Sequence, residues 1–173
     1  SLYPEDEQDA DTLLRHADQA MYIAKQTGRN RYHLYDAAND LRARSHHELL
    51  QQMRRGLEQG DFELYFQPQV EMLSRRMVGV EALIRWHHPQ RGLLLPNEFL
   101  RAIENTELEI ELGDWVVTRA YRQMRQWRDA GHDFEVSINI SAFHLQSSDF
   151  VPKLRRLVQN CCVQPCQHCL KIE

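Results

Sequence analysis

Three oxygen-bearing side chains interrupt segments that are otherwise patterned like buried strands. Glu81 lies in VGVEALIRW, Asn139 lies in FEVSINIS, and Glu173 ends LKIE. A charged or amide group in an apolar strand is costly unless a partner compensates it. Because carboxylate and amide oxygens are hard ligands that suit Mg²⁺ or Mn²⁺, a shared divalent cation is one such partner. For each residue alone, a solvated strand position or a turn is the alternative.

Arg85 shares a strand face with Glu81, because residues two apart in a strand point to the same side. Their Cα atoms would be roughly 13 Å apart, which is too far for direct contact in a regular strand. Glu81 therefore needs another partner. Arg85 would lie nearer the open end of a barrel, where its planar donor group can hold a phosphate.

Strand and helix patterns alternate through the part of the chain that carries these groups. The strand patterns are FELYFQPQV, RMVGVEALIRW, FEVSINISAF and HCLKIE. Between the last three lie a short helical pattern, PNEFLRAIENTEL, a longer one over about residues 110–130, and a third, SSDFVPKLRRLVQN. Strands that alternate with helices of this length are typical of parallel β-α units. In a (β/α) barrel the active site forms at the carboxyl ends of the strands, where Glu81, Asn139 and Glu173 would meet.

The first forty residues have the pattern of a separate unit. Apolar residues recur at helical spacing over residues 13–24, Gly28 is placed to end that helix, and RYHLY alternates like a strand. The polar segment AANDLRARSH follows. We therefore predict a domain boundary near residue 40, with domains at 1–40 and 41–173.

A helix is predicted to open the second domain. Ser45 and Glu48 have the spacing of a capping box, and apolar residues at helical spacing follow until Gly60. The helix should therefore begin at Ser45, after a polar connector.

Composition excludes several classes of protein. The formal net charge is −4 and basic residues are scattered, so no clustered basic face predicts binding of a nucleic acid polymer. No run of eighteen apolar residues and no signal peptide is present, which favours a cytoplasmic location. The chain starts without Met and stops as a strand pattern begins, so we interpret it as a fragment.

Four cysteines lie close together near the end of the chain: Cys161, Cys162, Cys166 and Cys169. The CxxC spacing is compatible with zinc, but structural zinc sites usually bring two separated ligand pairs. Small apolar residues packed at a helix-to-strand connection are the favoured interpretation, because free cysteine is among the most buried residue types.

Residues 62–173 resemble the first half of an EAL domain, the bacterial phosphodiesterase that hydrolyses cyclic di-GMP. The resemblance rests on YFQPQV, on VGVEALIRWHHPQRGLLLPNEFLRAIENTELEIELGDWV, and on SINIS and LKIE. The segment LLRHADQAMYIAKQTGRNRY resembles the C-terminal end of a GGDEF domain, the diguanylate cyclase fold. The predicted fold is thus α/β, an incomplete (β/α)8 TIM-type barrel preceded by the C-terminal helix and strand of an α/β GGDEF domain.

The EAL resemblance implies roles for five residues. Glu81, Asn139 and Glu173 match metal ligands, for Mg²⁺ or Mn²⁺. Gln67 and Arg85 match residues that contact the dinucleotide and its phosphate. In the family a two-metal centre polarises the phosphodiester and generates the attacking hydroxide, which opens cyclic di-GMP to linear pGpG. The pair His87-His88 falls in a loop of the family pattern, so no zinc site is predicted there.

The GGDEF resemblance places Lys25 and Arg29 at positions that touch nucleotide phosphates. A cation near the end of a helix is also favoured by the helix dipole, so both interpretations stay open. GTP at the cyclase-type domain of the parent protein and a homodimer are further possible partners.

The chain ends before the paired aspartates, the lysine and the later glutamate and glutamine that complete the EAL site. No catalytic residue is therefore assigned within it, since the general base lies beyond its C-terminus. We expect the parent protein to be a metal-dependent phosphodiesterase and this piece alone to be inactive. A signalling module that only binds nucleotide or protein is the alternative, and an inactive truncated product is a third.

Overall fold

A computed structural model describes residues 9–26, 32, 37–132, 134–161 and 168–172. The chain divides into two compact units, Ser1–Glu48 and Leu49–Glu173. Within the described ranges, no helix is long and apolar enough to cross a membrane.

The first unit contains the helix α1, Ala10–Gln26. Asp9 begins it, because its side-chain Oδ1 accepts a hydrogen bond of 2.8 Å from the backbone N–H of Thr12. Ala20 is buried, and Lys25 is exposed in the last turn. Apart from the exposed Tyr32, the predicted strand RYHLY lies outside the described residues, as does Arg29.

The helix α2, Ala37–Gln59, corrects two predictions about the connection. The polar connector is helical, and Ser45 lies inside the helix rather than capping it. The segment before Ser45 is rich in Ala, Leu and Arg and lacks Gly and Pro, so its intrinsic propensity favours continuing the helix. The predicted end is confirmed: Gly60 has a positive φ of 82° and its N–H donates to the carbonyl of Gly56.

One five-stranded sheet organises the second unit. Its strands are β1 Phe62–Val70, β2 Met77–His88, β3 Gly92–Leu94, β4 Glu135–Ile140 and β5 His168–Ile172. The order is β1-β2-β4-β5, and β3 pairs with β2. The parallel arrangement predicted for β2, β4 and β5 is confirmed. β1 is antiparallel to β2. The turn that joins them has too few residues for the crossover connection that parallel neighbours need.

Helices connect the parallel strands: α3 Glu107–Asp129, α4 Ala142–Leu145 and α5 Phe150–Cys161. The short helix predicted after β3 is instead two single turns of 3₁₀-helix, Pro96–Glu98 and Leu100–Ala102. Asn105 follows them with a positive φ of 59°, which separates these turns from α3. Asparagine adopts this left-handed region more readily than most residues.

The hydrophobic core lies on one face of the sheet, as the alternation in β2 predicts. Val80, Ala82, Ile84 and Trp86 are buried, whereas Glu81, Leu83 and Arg85 on the opposite face are partly exposed. Two buried clusters fill that core: one joins β2 and β4 to α3, and the other packs α2 against Trp86. The polar face is therefore left available for a site.

His88 is a buried residue at the end of β2 that organises the following turn. Its Nδ1 accepts hydrogen bonds from the backbone N–H groups of Gln90 and Arg91, at 3.1 and 3.2 Å. Its Nε2 lies 3.0 Å from the side-chain oxygen of Gln52, so the proton of a neutral ring belongs on Nε2. Burial, and then the charge of Arg91, lower the pKa of His88, although Asp61 opposes this. The prediction that His87 and His88 lie in a loop is wrong: both belong to the end of β2 and pair with β3, because His88 holds the turn that follows rather than forming part of it.

The first prediction concerns stability in acid. The pKa of His88 in the folded protein lies below the unfolded value of about 6.5. The contribution of His88 to the free energy of unfolding is therefore complete above a pH of about 6.5 and is lost as the pH falls towards the folded pKa. We expect His88→Asn, which keeps an acceptor near the Nδ1 position but cannot titrate, to weaken the pH dependence of the unfolding free energy between pH 7 and pH 5. Urea unfolding at several pH values measures this. The exposed His46→Asn is the control, and an unchanged slope in His88→Asn would contradict the assignment.

Candidate metal centre

The strand register brings the candidate site residues to one face of the sheet. Glu81 on β2 is level with Gln67 on β1 and with Ser137 on β4. Asn139, two residues after Ser137, is level with Lys171 on β5. Residues in register on neighbouring strands, and residues two apart on one strand, point to the same side. These residues therefore share the face opposite the hydrophobic core.

The polar partners of Glu81 include Asn139, Lys171 and Gln69. The Nδ2 of Asn139 donates to Glu81 Oε1 at 3.1 Å, and the Nζ of Lys171 lies 3.2 Å from Oε2. The hydrogen bond from Asn139 is the main cause that lowers the pKa of Glu81; burial opposes it and Lys171 adds to it. The carboxylate is therefore ionised at neutral pH.

Asn139 presents an oxygen that has no protein partner. Its Oδ1 is buried and accepts no hydrogen bond, while its Nδ2 is directed at Glu81. The opposite amide orientation would place two acceptors against each other, so the hydrogen-bond network supports this one. Buried polar atoms are nearly always satisfied, so Oδ1 requires a donor or a cation. This unsatisfied oxygen beside an ionised carboxylate fits a hard divalent ion.

The described residues supply only part of a coordination sphere. Among them, no three His, Cys, Asp or Glu side chains come together as a metal cluster. Glu173 lies outside the described residues, as do Cys162 and Cys166. The structure thus brings two of the three predicted ligands, Glu81 and Asn139, within hydrogen-bond distance, and their role as metal ligands stays a prediction.

Arg85 and Gln67 lie on the same face as Glu81. The Nη1 of Arg85 donates to the backbone oxygen of Ile84 at 2.8 Å, and its guanidinium carbon lies 5.4 Å from the centre of the Tyr65 ring. This cation–π contact holds the guanidinium near the sheet. Gln67 is exposed beside Glu81 on the edge strand β1. Their role in binding the dinucleotide stays a prediction.

A cavity of about 430 Å³ adjoins Asn139. It lies where β2 and β4 approach the 3₁₀ turns, α3 and α4, and most of its lining is apolar. Polar groups enter it from Glu104, Asn105, Glu109, Asn139, Ser141 and His144. Pockets that are mostly apolar with a few polar groups are typical of small-ligand sites.

The segment after Asn139 is anchored by a buried polar chain. Ser141 caps α4, because its Oγ accepts from the N–H of His144 at 3.1 Å. The buried His144 places Nε2 3.0 Å from Asp114 Oδ1 on α3, and Asp114 Oδ2 pairs with Lys153 on α5 at 2.6 Å. The bond from Asp114 raises the pKa of Lys153. These contacts fix the connection that follows the candidate ligand.

Gly113 makes the approach of His144 possible. A Cβ at this position would lie 2.3 Å from His144 Nδ1, which is closer than any real contact.

Sequence patterns gave no signal for His144, Asp114 or Lys171, because each acts through residues distant in the chain. Lys171 in particular becomes part of the site only through the register of β4 and β5.

Parallel strands that pack their connecting helices against one face form part of an α/β barrel. Residues 50–173 match the family model of the EAL domain, and the chain belongs to this family.

Two curated relatives align with almost all of the chain. The bifunctional diguanylate cyclase/cyclic di-GMP phosphodiesterase MucR of Pseudomonas aeruginosa is 38% identical over 173 residues, covering 99% of this chain and 25% of MucR. The cyclic di-GMP phosphodiesterase PdeR of Escherichia coli is 33% identical over 159 residues, covering 92% of this chain and 24% of PdeR. The chain thus spans about a quarter of the length of these relatives.

Solved structures agree on the fold. The PaMucR phosphodiesterase in complex with c-di-GMP superposes with a TM-score of 0.68 at 39% identity, covering 71% of this chain and 50% of that one. The EAL enzyme Bd1971 in its cGMP-bound form gives 0.71 at 32% identity, covering 78% and 38%. A partial TIM-type EAL fold is therefore confirmed, while the GGDEF portion stays a prediction.

The second prediction tests the packing behind Asn139. Gly113→Ala should destabilise the chain by about 1–3 kcal/mol, because the new methyl group meets the buried His144 ring. In a His144→Ala background the same change should stabilise α3 by up to about 1 kcal/mol, since alanine is the better helix former. Urea unfolding of the four proteins measures both values. A loss of the same size in both backgrounds would show that another contact is responsible.

Proposed function

We propose that this chain contributes the first half of a metal-dependent phosphodiesterase site that hydrolyses cyclic di-GMP to linear pGpG. The observation that carries the proposal is the ionised Glu81 held against Asn139, whose buried oxygen has no partner. The relatives support the substrate, since MucR and PdeR are both described as cyclic di-GMP phosphodiesterases.

The cofactor of the proposal is Mg²⁺ or Mn²⁺. EAL phosphodiesterases are generally dependent on a divalent metal. Glu81 and Asn139 would hold it from β2 and β4, and Glu173 would do so from the residue after β5. When bound, the cation would supply the positive charge that polarises the phosphodiester and activates water.

The chain's own residues have distinct tasks in this proposal. Glu81 keeps a negative charge at neutral pH, and Asn139 orients it through Nδ2 while offering Oδ1. Arg85 would bind a phosphate oxygen pair through its planar donors, and Gln67 would hydrogen-bond the dinucleotide.

The first unit belongs to the same proposal. We assign residues 1–40 to the C-terminal piece of a GGDEF domain and residues 41–173 to the EAL domain. The support is that the alignment with MucR, a bifunctional cyclase and phosphodiesterase, covers 99% of the chain. Lys25 and Arg29 would then face nucleotide phosphates, with GTP as the ligand of the parent protein. A homodimer and a cytoplasmic location stay predictions.

The third prediction tests the metal site. Glu81→Gln should weaken Mn²⁺ binding at least about tenfold, because a ligand charge is lost while the shape is kept. Electron paramagnetic resonance of free Mn²⁺ during titration gives the dissociation constant. Glu63→Gln is the matched control, since it removes an equal charge from the exposed end of β1. If both variants bind Mn²⁺ as the parent chain does, Glu81 is not a ligand.

The fourth prediction tests the substrate. With Mn²⁺ present, the chain should bind cyclic di-GMP and leave it intact, because the described residues supply two oxygen donors and the chain covers half of the MucR phosphodiesterase structure. Arg85→Ala should weaken this binding about tenfold, because a charge-assisted phosphate contact is lost.

Calorimetry measures that binding, and chromatography of the nucleotide shows whether pGpG forms. Arg91→Ala is the matched control, since it removes a surface arginine that pairs with Glu98 at 3.6 Å. If Arg85→Ala binds cyclic di-GMP as tightly as the parent chain, Arg85 does not contact the substrate. Clear formation of pGpG would show that the part of the barrel present here suffices for catalysis.

A further inference from the structure

The face that carries the candidate metal ligands also carries a lysine. The Nζ of Lys171 lies 3.2 Å from Glu81 Oε2, and the residue is level with Asn139 in the parallel register of β4 and β5. Lys171 lies two residues before Glu173 in the sequence. Because residues two apart in a strand point to the same side, Lys171 is on the face expected for that third ligand. One positive charge therefore already stands beside the carboxylate that the proposed function assigns to a divalent ion.

We propose that Lys171 is a positioning residue that neutralises and holds Glu81 in the metal-free protein, and that its displacement sets the affinity for the divalent cation. The inference rests on the proposed metal site. A carboxylate on an otherwise apolar strand is costly without a compensating charge, and the ammonium group provides one before metal arrives. Once a dication binds Glu81, an ammonium within a few ångströms is repelled by it.

The chemistry of lysine suits a charge that must move. Its four-carbon stem is flexible and its ammonium group carries three rotatable donors. The side chain of Lys171 is 39% exposed, so the ammonium can withdraw into water without losing hydration. Arg85, the arginine on the same face, is held by the Ile84 carbonyl and by the Tyr65 ring instead. Among the residues that the structure describes, Lys171 is therefore the cation placed to compete with the metal for Glu81.

The fifth prediction is that removing this charge strengthens metal binding. Lys171→Met keeps the length of the side chain and should lower the Mn²⁺ dissociation constant roughly fivefold, the equivalent of one partly exposed ion pair. Lys171→Arg keeps the charge and should not tighten binding. The gain should shrink at high salt, because ions screen a partly exposed pair. Calorimetric Mn²⁺ titration at two salt concentrations measures these values.

A matched control separates a local effect from a change in net charge. Lys153→Met removes an equal charge on α5, where the lysine pairs with Asp114. Equal tightening in this variant would overturn the proposal. Circular dichroism confirms that each variant is folded, and Lys171→Gln replaces Lys171→Met if the latter does not fold.

Nuclear magnetic resonance of the lysine side chains provides a readout that needs no catalysis. Titration with Mg²⁺, which is diamagnetic, should shift the Cε–Hε signal of Lys171 and leave that of Lys153 unchanged. Glu81→Gln should shift the same Lys171 signal without metal, because the ion pair is lost. A Lys171 signal that shifts neither on Mg²⁺ titration nor in Glu81→Gln would overturn the proposal.

The outcomes distinguish this inference from the proposed function. Mn²⁺ binding that requires Glu81 but is unchanged in Lys171→Met overturns the role of Lys171 and leaves the proposed metal site standing. Mn²⁺ binding that does not require Glu81 overturns both. The absence of Mn²⁺ binding in the parent chain and in Lys171→Met also overturns both.

Discussion

A carboxylate in the middle of an apolar strand must be compensated, and this constraint shapes the polar face of the sheet. Glu81 is compensated by Asn139 from the neighbouring strand and by Lys171 from the strand beyond it. Each of the three parallel strands therefore contributes one group to a single contact. Because a slip by one residue would turn Asn139 or Lys171 to the other face, the same contact also favours the observed register.

The opposite face of the sheet supplies the rigidity that such a contact needs. Val136 and Ile138 of β4 are buried against α3, so the strand that carries Asn139 is fixed from behind. The buried His144, paired with Asp114, then fixes the chain just beyond it. A ligand group held on packed strands loses little freedom when it binds a cation, which favours affinity. The polar and apolar faces thus depend on each other.

The chain carries part of the barrel of the EAL family, and two of the three predicted metal ligands lie together in its described residues. The chain covers half of the MucR phosphodiesterase structure and about a quarter of the full relatives. Its order β1-β2-β4-β5 leaves one side of β1 and one side of β5 without a described strand neighbour. In a closed barrel those edges are paired, and inward-facing residues from all strands converge.

The sequence by itself determined the features that depend on local pattern. Alternation in β2 placed Val80 and Trp86 in the core and Glu81 opposite them, and helical spacing located α3 to within a turn. Local rules failed at Ser45, where strong helix propensity on both sides overrode a capping signal, and before Asn105, where a left-handed residue separated two 3₁₀ turns from α3.

Only the tertiary structure decided how distant residues meet. The rise per residue of a strand was enough to exclude Arg85 as the partner of Glu81. The contact with Lys171 and the unsatisfied oxygen of Asn139 were not predictable from the sequence. The same holds for the packing of His144 on Gly113. These features depend on inter-strand register and on helix packing, which join residues far apart in the chain, whereas sequence periodicity reports only which face a residue occupies.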